Sequence, residues 1–340
     1  MKNLKSWLCG TLTCLTMAAP VAGFAAEDVN VYSYRQPYLI QPLIDAFSEE
    51  TGIKVNVVFA KQGILERLER EGRNSPADVV LTVDIGRLDE LASKDLSLAV
   101  DSETLNKNIP AEYRHPEGKW FGLTRRARVI YTSKDRVEEG EITRYEDLAD
   151  NRWNDRVCTR SGKQDYNVAL IASMIAHHGE AETEKWLRGL KDNLARKPQG
   201  GDRDQIRAIA EGVCDVAVGN SYYYGVMLSD PEQKGPAEAA RLVFPNQDGR
   251  GTHVNLSGAA IAKHAPNREN AMAFLEFLSG EEAQQMYADL NYEYPVREGV
   301  TPASIVSEWG DFKADDLPLD EIAKYREAAV KMVDRVGYDN

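Results

Sequence analysis

The chain has 340 residues, with 54 Asp or Glu against 41 Lys or Arg, a formal net charge of −13. A field of that sign argues against nucleic acid and against anionic membranes as partners. Four cysteines and five histidines without metal-ligand spacing also exclude an ordinary zinc site.

Lys2 and Lys5 precede an apolar stretch over residues 7–22 that ends in the small residues Gly23, Ala25 and Ala26. This is the pattern of a secretory signal peptide over residues 1–26, which directs the mature chain to the periplasm and removes Cys9 and Cys14. The stretch is too short and too weakly apolar to span a membrane, so no membrane insertion is expected. Loss of Lys2 and Lys5 makes the mature chain more acidic still. What remains is too long for one compact core, and two domains are expected.

In chain order, residues 29–34 alternate as a strand should. A helix follows, with Pro42 expected in its first turn, Leu43, Ile44 and Phe47 on one face, and a stop at Thr51-Gly52. Residues 53–59 read as a strand, 63–71 as a helix and 77–82 as a buried strand. That alternation predicts a parallel α/β sheet. A second series begins with a strand over 122–132, a short capped helix over 142–148 and a strand over 157–160. Helices over 166–177, 181–194 and 202–211 follow, then a strand over 214–219. The end of the chain reads as a strand over 256–262 and helices over 267–279, 280–288 and 319–336. Two α/β lobes joined by strands rather than by a flexible linker suggest a hinged clamshell. Ligands of such sheets lie beyond the strand C-termini, and closure traps them.

Cys158 and Cys214 remain in the mature chain, each at the start of a strand-like run. Export permits a disulfide between them; the alternative is two buried thiols.

The segment Asn220-Ser221-Tyr222-Tyr223-Tyr224-Gly225 places three tyrosines where a buried strand turns into a helix. Tyr166 occupies the same kind of junction after the strand over 157–160. Phenols lose their protons near pH 10, and a trivalent cation can remove them at neutral pH. Phenolate oxygen is hard and anionic, which suits Fe3+. Three phenolates balance the ion's charge and leave coordination positions for a small anion, which arginines can bind; Arg35 and the cluster Arg125, Arg126 and Arg128 are candidates. Tyrosines at a crevice can equally stack on an organic ligand or fill space.

Several segments resemble the periplasmic ferric-binding proteins of bacterial iron ABC transporters. These are Val31-Tyr32-Ser33-Tyr34-Arg35-Gln36-Pro37-Tyr38, Asp78-Val79-Val80-Leu81-Thr82-Val83-Asp84-Ile85-Gly86-Arg87-Leu88, Arg126-Ala127-Arg128-Val129-Ile130-Tyr131, Cys158-Thr159-Arg160-Ser161, and the run from Gly212 to Tyr223. The resemblance covers essentially the whole mature chain in order. It implies an α/β, two-lobed type II periplasmic-binding-protein clamshell with two crossover strands. On that reading residues 27–125 and 251–301 form one lobe, and 126–250 and 302–340 the other. It implies Tyr166, Tyr222 and Tyr223 as iron ligands, with carbonate or bicarbonate as a synergistic anion on Arg35 and Arg126 with Gln36 nearby. It also implies a monomer that serves an iron ABC transporter permease.

Many members carry His-Tyr directly after the first arginine. Here Gln36-Pro37 stands instead, so the histidine ligand is absent and Tyr38 is a candidate extra ligand displaced by one or two places. Tyr224 has no ligand role implied and reads as packing. Two other readings remain: a carrier of a polyamine or small organic anion, with Asp78 and Asp84 as partners of a polyamine, and a secreted metal enzyme. Against an enzyme, the chain has no Ser-His-Asp order, no His-Glu-x-x-His and no phosphate loop.

Overall fold

The computed structural model describes residues 28–340, so the leader expected over residues 1–26 lies outside the described residues. Nine strands are present among them: β1 (Val29–Ser33), β2 (Val55–Phe59), β3 (Val79–Thr82), β4 (Phe121–Ser133), β5 (Val157–Cys158), β6 (Val216–Asn220), β7 (Ala240–Val243), β8 (Val254–Ile261) and β9 (Tyr294–Pro295). Their order is β2-β1-β3-β8-β4-β6-β5, with β7 and β9 also paired to β4.

β1 pairs in parallel with both β2 and β3, as the strand–helix alternation predicts. The sheet as a whole is mixed, because β8 returns antiparallel between β3 and β4. β4 is the seam of the molecule. Its first half, up to Ala127 opposite Val254, pairs with β8. From Arg128 opposite Asn220 onward it pairs with β6, and from Ile130 with β7. The Arg128 N–H donates to the His253 carbonyl at 2.9 Å, so the two passes of the chain between the sheets run side by side.

Each sheet is covered by helices whose apolar faces are buried. The helix Pro37–Thr51 buries Ile40, Leu43, Ile44 and Phe47 and stops where Gly52 takes φ 72°. Pro37 starts this helix, so Pro42 lies inside it and not in the first turn as the sequence suggested. The two prolines compete for the start, and Pro37 needs no partner at the first position; Pro42 leaves the Tyr38 carbonyl without its helical donor. Phe47 packs edge-on against Phe274 at 5.0 Å and against Phe277 at 5.5 Å, so chain separated by more than two hundred residues shares one core.

In the second half, helix Asp165–Asp192 carries a break at Gly179, with φ 76°, which divides it near the two helices the periodicity predicts. The expected strand over 157–160 shortens to Val157–Cys158, and the expected helix over 142–148 is a single 3-10 turn, Glu146–Ala149. The last expected helix divides into Leu319–Ala323 and Arg326–Val336. Helix Arg326–Val336 packs along Asp165–Asp192 and brings the Tyr338 hydroxyl to within 2.9 Å of Thr159 Oγ1. Cys158 and Cys214 form a disulfide, with Cα atoms 5.9 Å apart. No helix of the described residues is long and apolar enough to cross a membrane.

Glu146 ties three parts of the second half together. It accepts from Asn246 Nδ2 at 2.8 Å and from Arg250 at 2.5 Å, and it meets His178 Nε2 at 2.8 Å. Burial alone would raise its pKa; the hydrogen bonds from Asn246 and Arg250 outweigh burial and lower it to about 2. A carboxylate whose folded pKa is depressed stabilises the fold above its unfolded pKa and loses that contribution as pH falls through the folded value. Glu146→Gln is therefore expected to lower stability by about 1–3 kcal/mol at neutral pH. Chemical denaturation at a series of pH values should show the difference from wild type shrinking below about pH 4.5 and vanishing near about pH 2.

Candidate metal centre

The predicted tyrosines come from two junctions of the same kind. β5 ends at Cys158, and the chain turns through Ser161 and Gly162 into helix Asp165–Asp192, whose second residue is Tyr166. β6 ends at Asn220 and passes directly into helix Ser221–Ser229, which carries Tyr222 and Tyr223 in its first turn. β5 and β6 are parallel neighbours, so both junctions emerge at one edge of the sheet.

The backbone beneath the tyrosine pair is closely fitted. A Cβ at Gly219 would lie 2.3 Å from the Tyr131 ring, so glycine is needed for that ring to pass beneath β6. The Tyr131 hydroxyl then donates to the Asn220 carbonyl at 2.6 Å and holds the end of the strand.

The oxygens of Tyr166 and Tyr222 lie 3.3 Å apart, and the rings of Tyr222 and Tyr223 are 4.2 Å apart between centroids. All three tyrosines line one cleft of about 320 Å³ with Arg35, Gln36 and Arg126. Burial raises the Tyr222 phenol well above its ordinary pKa, and the neighbouring phenols of Tyr166 and Tyr223 add to this. Tyr223 is raised for the same reasons, burial first and then Tyr166. Among the described residues, no group of three or more His, Cys, Asp or Glu side chains could hold a metal. The hard oxygen donors gathered here and not engaged by an arginine are phenols.

The arginines sort by strand alternation. Arg126 and Arg128 share one face of β4 and Arg125 the other. Arg126 donates to Ser257 Oγ at 3.1 Å and to the Val83 carbonyl, with its guanidinium 5.1 Å from the Tyr166 ring centre. Arg125 turns away to the Tyr113 hydroxyl at 2.9 Å. Arg35 is buried and ion-paired with buried Glu293, while its Nε has no hydrogen-bond partner. Gln36 is exposed at the rim. Tyr38, the candidate extra ligand, is 61% exposed and does not line the cleft. Starting the helix at Pro37 turns this residue outward on the first helical turn. The Tyr224 hydroxyl donates to the Ala240 carbonyl at 2.9 Å, a packing role.

Asp78 and Asp84 are fully buried and already engaged. Asp78 accepts the N–H groups of Asn30 and Asn267 at 2.8 and 2.7 Å, and Asp84 accepts from Asn255 at 2.8 Å and pairs with Arg326 at 3.2 Å. Neither lines the cleft.

Sequence reading missed Glu293, Lys61, Arg87, Arg160 and Ser257, all of which line the cleft. Arg160 was the most accessible of these, since it leaves the same strand as Tyr166. Arg87 reaches Asp165 at 2.7 Å and links the chain after β3 to the chain after β5 across the cleft. The lining cations Arg35, Lys61, Arg87, Arg126, Arg160 and Lys163 outnumber the lining acids Asp165 and Glu293; Arg160 and Lys163 pair with Asp202 and Asp334 outside the lining, which leaves Lys61 and Arg126 as the surplus. In a chain of strong negative charge, the cleft is locally positive.

A family model described as bacterial extracellular solute-binding protein matches residues 32–285. Iron uptake protein A1 of Synechocystis sp. is 45% identical over 94% of this chain and 90% of its own length. The apo ferric ion-binding protein A of Pasteurella haemolytica is 57% identical, with a TM-score of 0.90 over 93% of this chain and 99% of that one. A Trichodesmium protein solved in complex with iron and citrate ligands is 44% identical, with a TM-score of 0.85 over 92% of this chain and 99% of that one. The fold is accordingly the type II clamshell of periplasmic binding proteins, and the relatives are transport proteins rather than enzymes. By the span of that match and the identity of these relatives, the chain belongs to the bacterial extracellular solute-binding proteins.

Proposed function

We propose that this protein captures Fe3+ in the periplasm and delivers it to the permease of an iron ABC transporter. The ion is the cargo, held by the phenolates of Tyr166, Tyr222 and Tyr223. The observation that carries this reading is the approach of the Tyr166 and Tyr222 oxygens to 3.3 Å from two separate junctions. Relatives named as iron uptake and ferric-binding proteins support it.

Three phenolates neutralise Fe3+ and leave part of its coordination shell open. The surplus positive charge of Lys61 and Arg126 would be offset by an anion entering with the iron or before it. Carbonate or bicarbonate between Arg126 and the free Nε of Arg35, with Gln36 at the rim, would complete the shell. The same positive lining weighs against a polyamine cargo. Residues 126–250 with 302–340 form the lobe that bears the tyrosines. Residues 27–125 with 251–301 close over it, bringing Arg35 and, through Arg87 and Asp165, an ion pair across the cleft. The carrier acts as a monomer, so each copy holds a complete site.

Titration with ferric ion in the visible range tests the reading, with bicarbonate or citrate present or absent. The expected result is a phenolate-to-iron charge-transfer band that strengthens with the anion. Tyr222→Phe and Tyr223→Phe should each weaken binding by roughly a hundredfold or more, since even residues outside the coordination shell cost 10–100-fold. Iron binding without such a band would sink the assignment.

The pH dependence has a definite sign. Burial and mutual repulsion favour the protonated phenols of Tyr222 and Tyr223, so these two must release their protons to bind the metal. Affinity should fall as pH falls, by about one log unit per pH unit for each phenol proton released on binding. Competition against a chelator of known pH behaviour measures that slope, and a flat profile would exclude phenolate ligation.

A further inference from the structure

Asp202 opens helix Asp202–Ala210, and an acidic residue there ordinarily reads as a favourable charge at a helix start. Its side chain does something else. It is 1% exposed and bonds Arg160, which lines the tyrosine cleft. One oxygen accepts from Arg128 Nη1 at 2.8 Å and from the Asn220 N–H at 2.9 Å; the other accepts from Arg160 Nη1 at 3.1 Å. Arg128 in turn donates to Asn220 Oδ1 at 2.9 Å and to Asn167 Oδ1 at 2.6 Å. Asn167 closes the circuit by donating to the carbonyls of Arg160 and Ser161, each at 3.1 Å.

The members of this circuit are neighbours of the candidate ligands. Asn220 lies two residues before Tyr222, and Asn167 directly follows Tyr166. The guanidinium carbons of Arg128 and Arg160 lie 5.9 and 5.4 Å from the Tyr166 ring centre, so the same two arginines also flank that ring. A buried ion network of this kind is a weak contributor to net stability, because desolvation of the charges offsets their attraction. Its geometric effect is larger. Every oxygen of one carboxylate is committed to groups from three separate chain segments, which fixes their relative positions.

We propose that Asp202 is a positioning residue that holds the Tyr166 junction and the Tyr222-Tyr223 junction in register, so that the phenol set is assembled before the metal arrives. The proposal rests on the iron reading for its functional consequence and on the hydrogen-bond circuit for its geometry. Asp202 touches none of the proposed cargo. It acts through Asn220, Arg160 and Arg128.

The test compares Asp202→Asn with Asp215→Asn. Asp215 also pairs two arginines, Arg136 at 2.5 Å and Arg156 at 2.6 Å, but at the opposite end of β6 from the tyrosines. Both variants are expected to lower the thermal midpoint. Only Asp202→Asn should weaken Fe3+ binding, by roughly 10–100-fold, and shift or broaden the charge-transfer band. A crystal structure of metal-free Asp202→Asn should show the Tyr166 and Tyr222 oxygens moved out of hydrogen-bond range. Unchanged affinity and spectrum, or equal losses in both variants, would overturn the proposal. If Asp202→Asn does not fold, Arg160→Gln removes one arm at a partly exposed position; it should shift the band in the same direction, and an unaltered band and affinity would count against the circuit. Absence of any iron band in the wild type would end the iron reading alone, and the oxygen separation in the metal-free variant would still decide the positioning role.

Discussion

Two phenol oxygens resting 3.3 Å apart inside a protein require the chain behind each to be held still. That requirement shapes the second half of this molecule. Gly219 lets the Tyr131 ring pass beneath β6 and bond the Asn220 carbonyl, which fixes the end of the strand before the tyrosine pair. The disulfide joins Cys158, the last residue of β5, to Cys214, two residues before β6, and so ties the two neighbouring strands. The carboxylate of Asp202 links the exits of those strands through Arg128, Arg160 and Asn220. Constraint is thus applied between β5 and β6 and at their exits, and the tyrosines stand on rigid elements.

The electrostatics follow from the same arrangement. Buried Arg35 and Arg128 each have a carboxylate close by, Glu293 and Asp202, while buried Arg126 is held by Ser257 and the Val83 carbonyl. The cleft nonetheless keeps a surplus of positive charge within a strongly acidic chain. Phenols, neutral until a metal removes their protons, suit such a surrounding. Carboxylate ligands would be drawn into ion pairs with the arginines instead, as Asp165 and Glu293 are.

Much of the architecture was legible from local pattern. The strand–helix alternation, the stop at Gly52 and the division of the long helix near Gly179 all depend on residues within a turn or two of each other. The two tyrosine-bearing junctions were legible for the same reason, since a strand running out into a helix marks the crevice side of an α/β sheet. Errors arose where two local signals competed. Pro37 and Pro42 both suit a helix start, and Pro37 prevailed, which turned Tyr38 to the surface. The segment over 142–148 carries helical residues, but the bonds of Asp147 to the backbone of Thr143 and Arg144 close it as a tight turn.

By itself, the sequence determined the α/β class, the cysteine pair Cys158 and Cys214, and the tyrosines with their places at strand exits. These are properties of periodicity and of turn chemistry, which act over a few residues. Only the tertiary structure decided which charges face one another. Arg35 meets Glu293 across 258 positions, and Asp202 meets Arg128 across 74. A buried charge takes whichever partner packing brings within reach, and no local pattern along the chain records that choice.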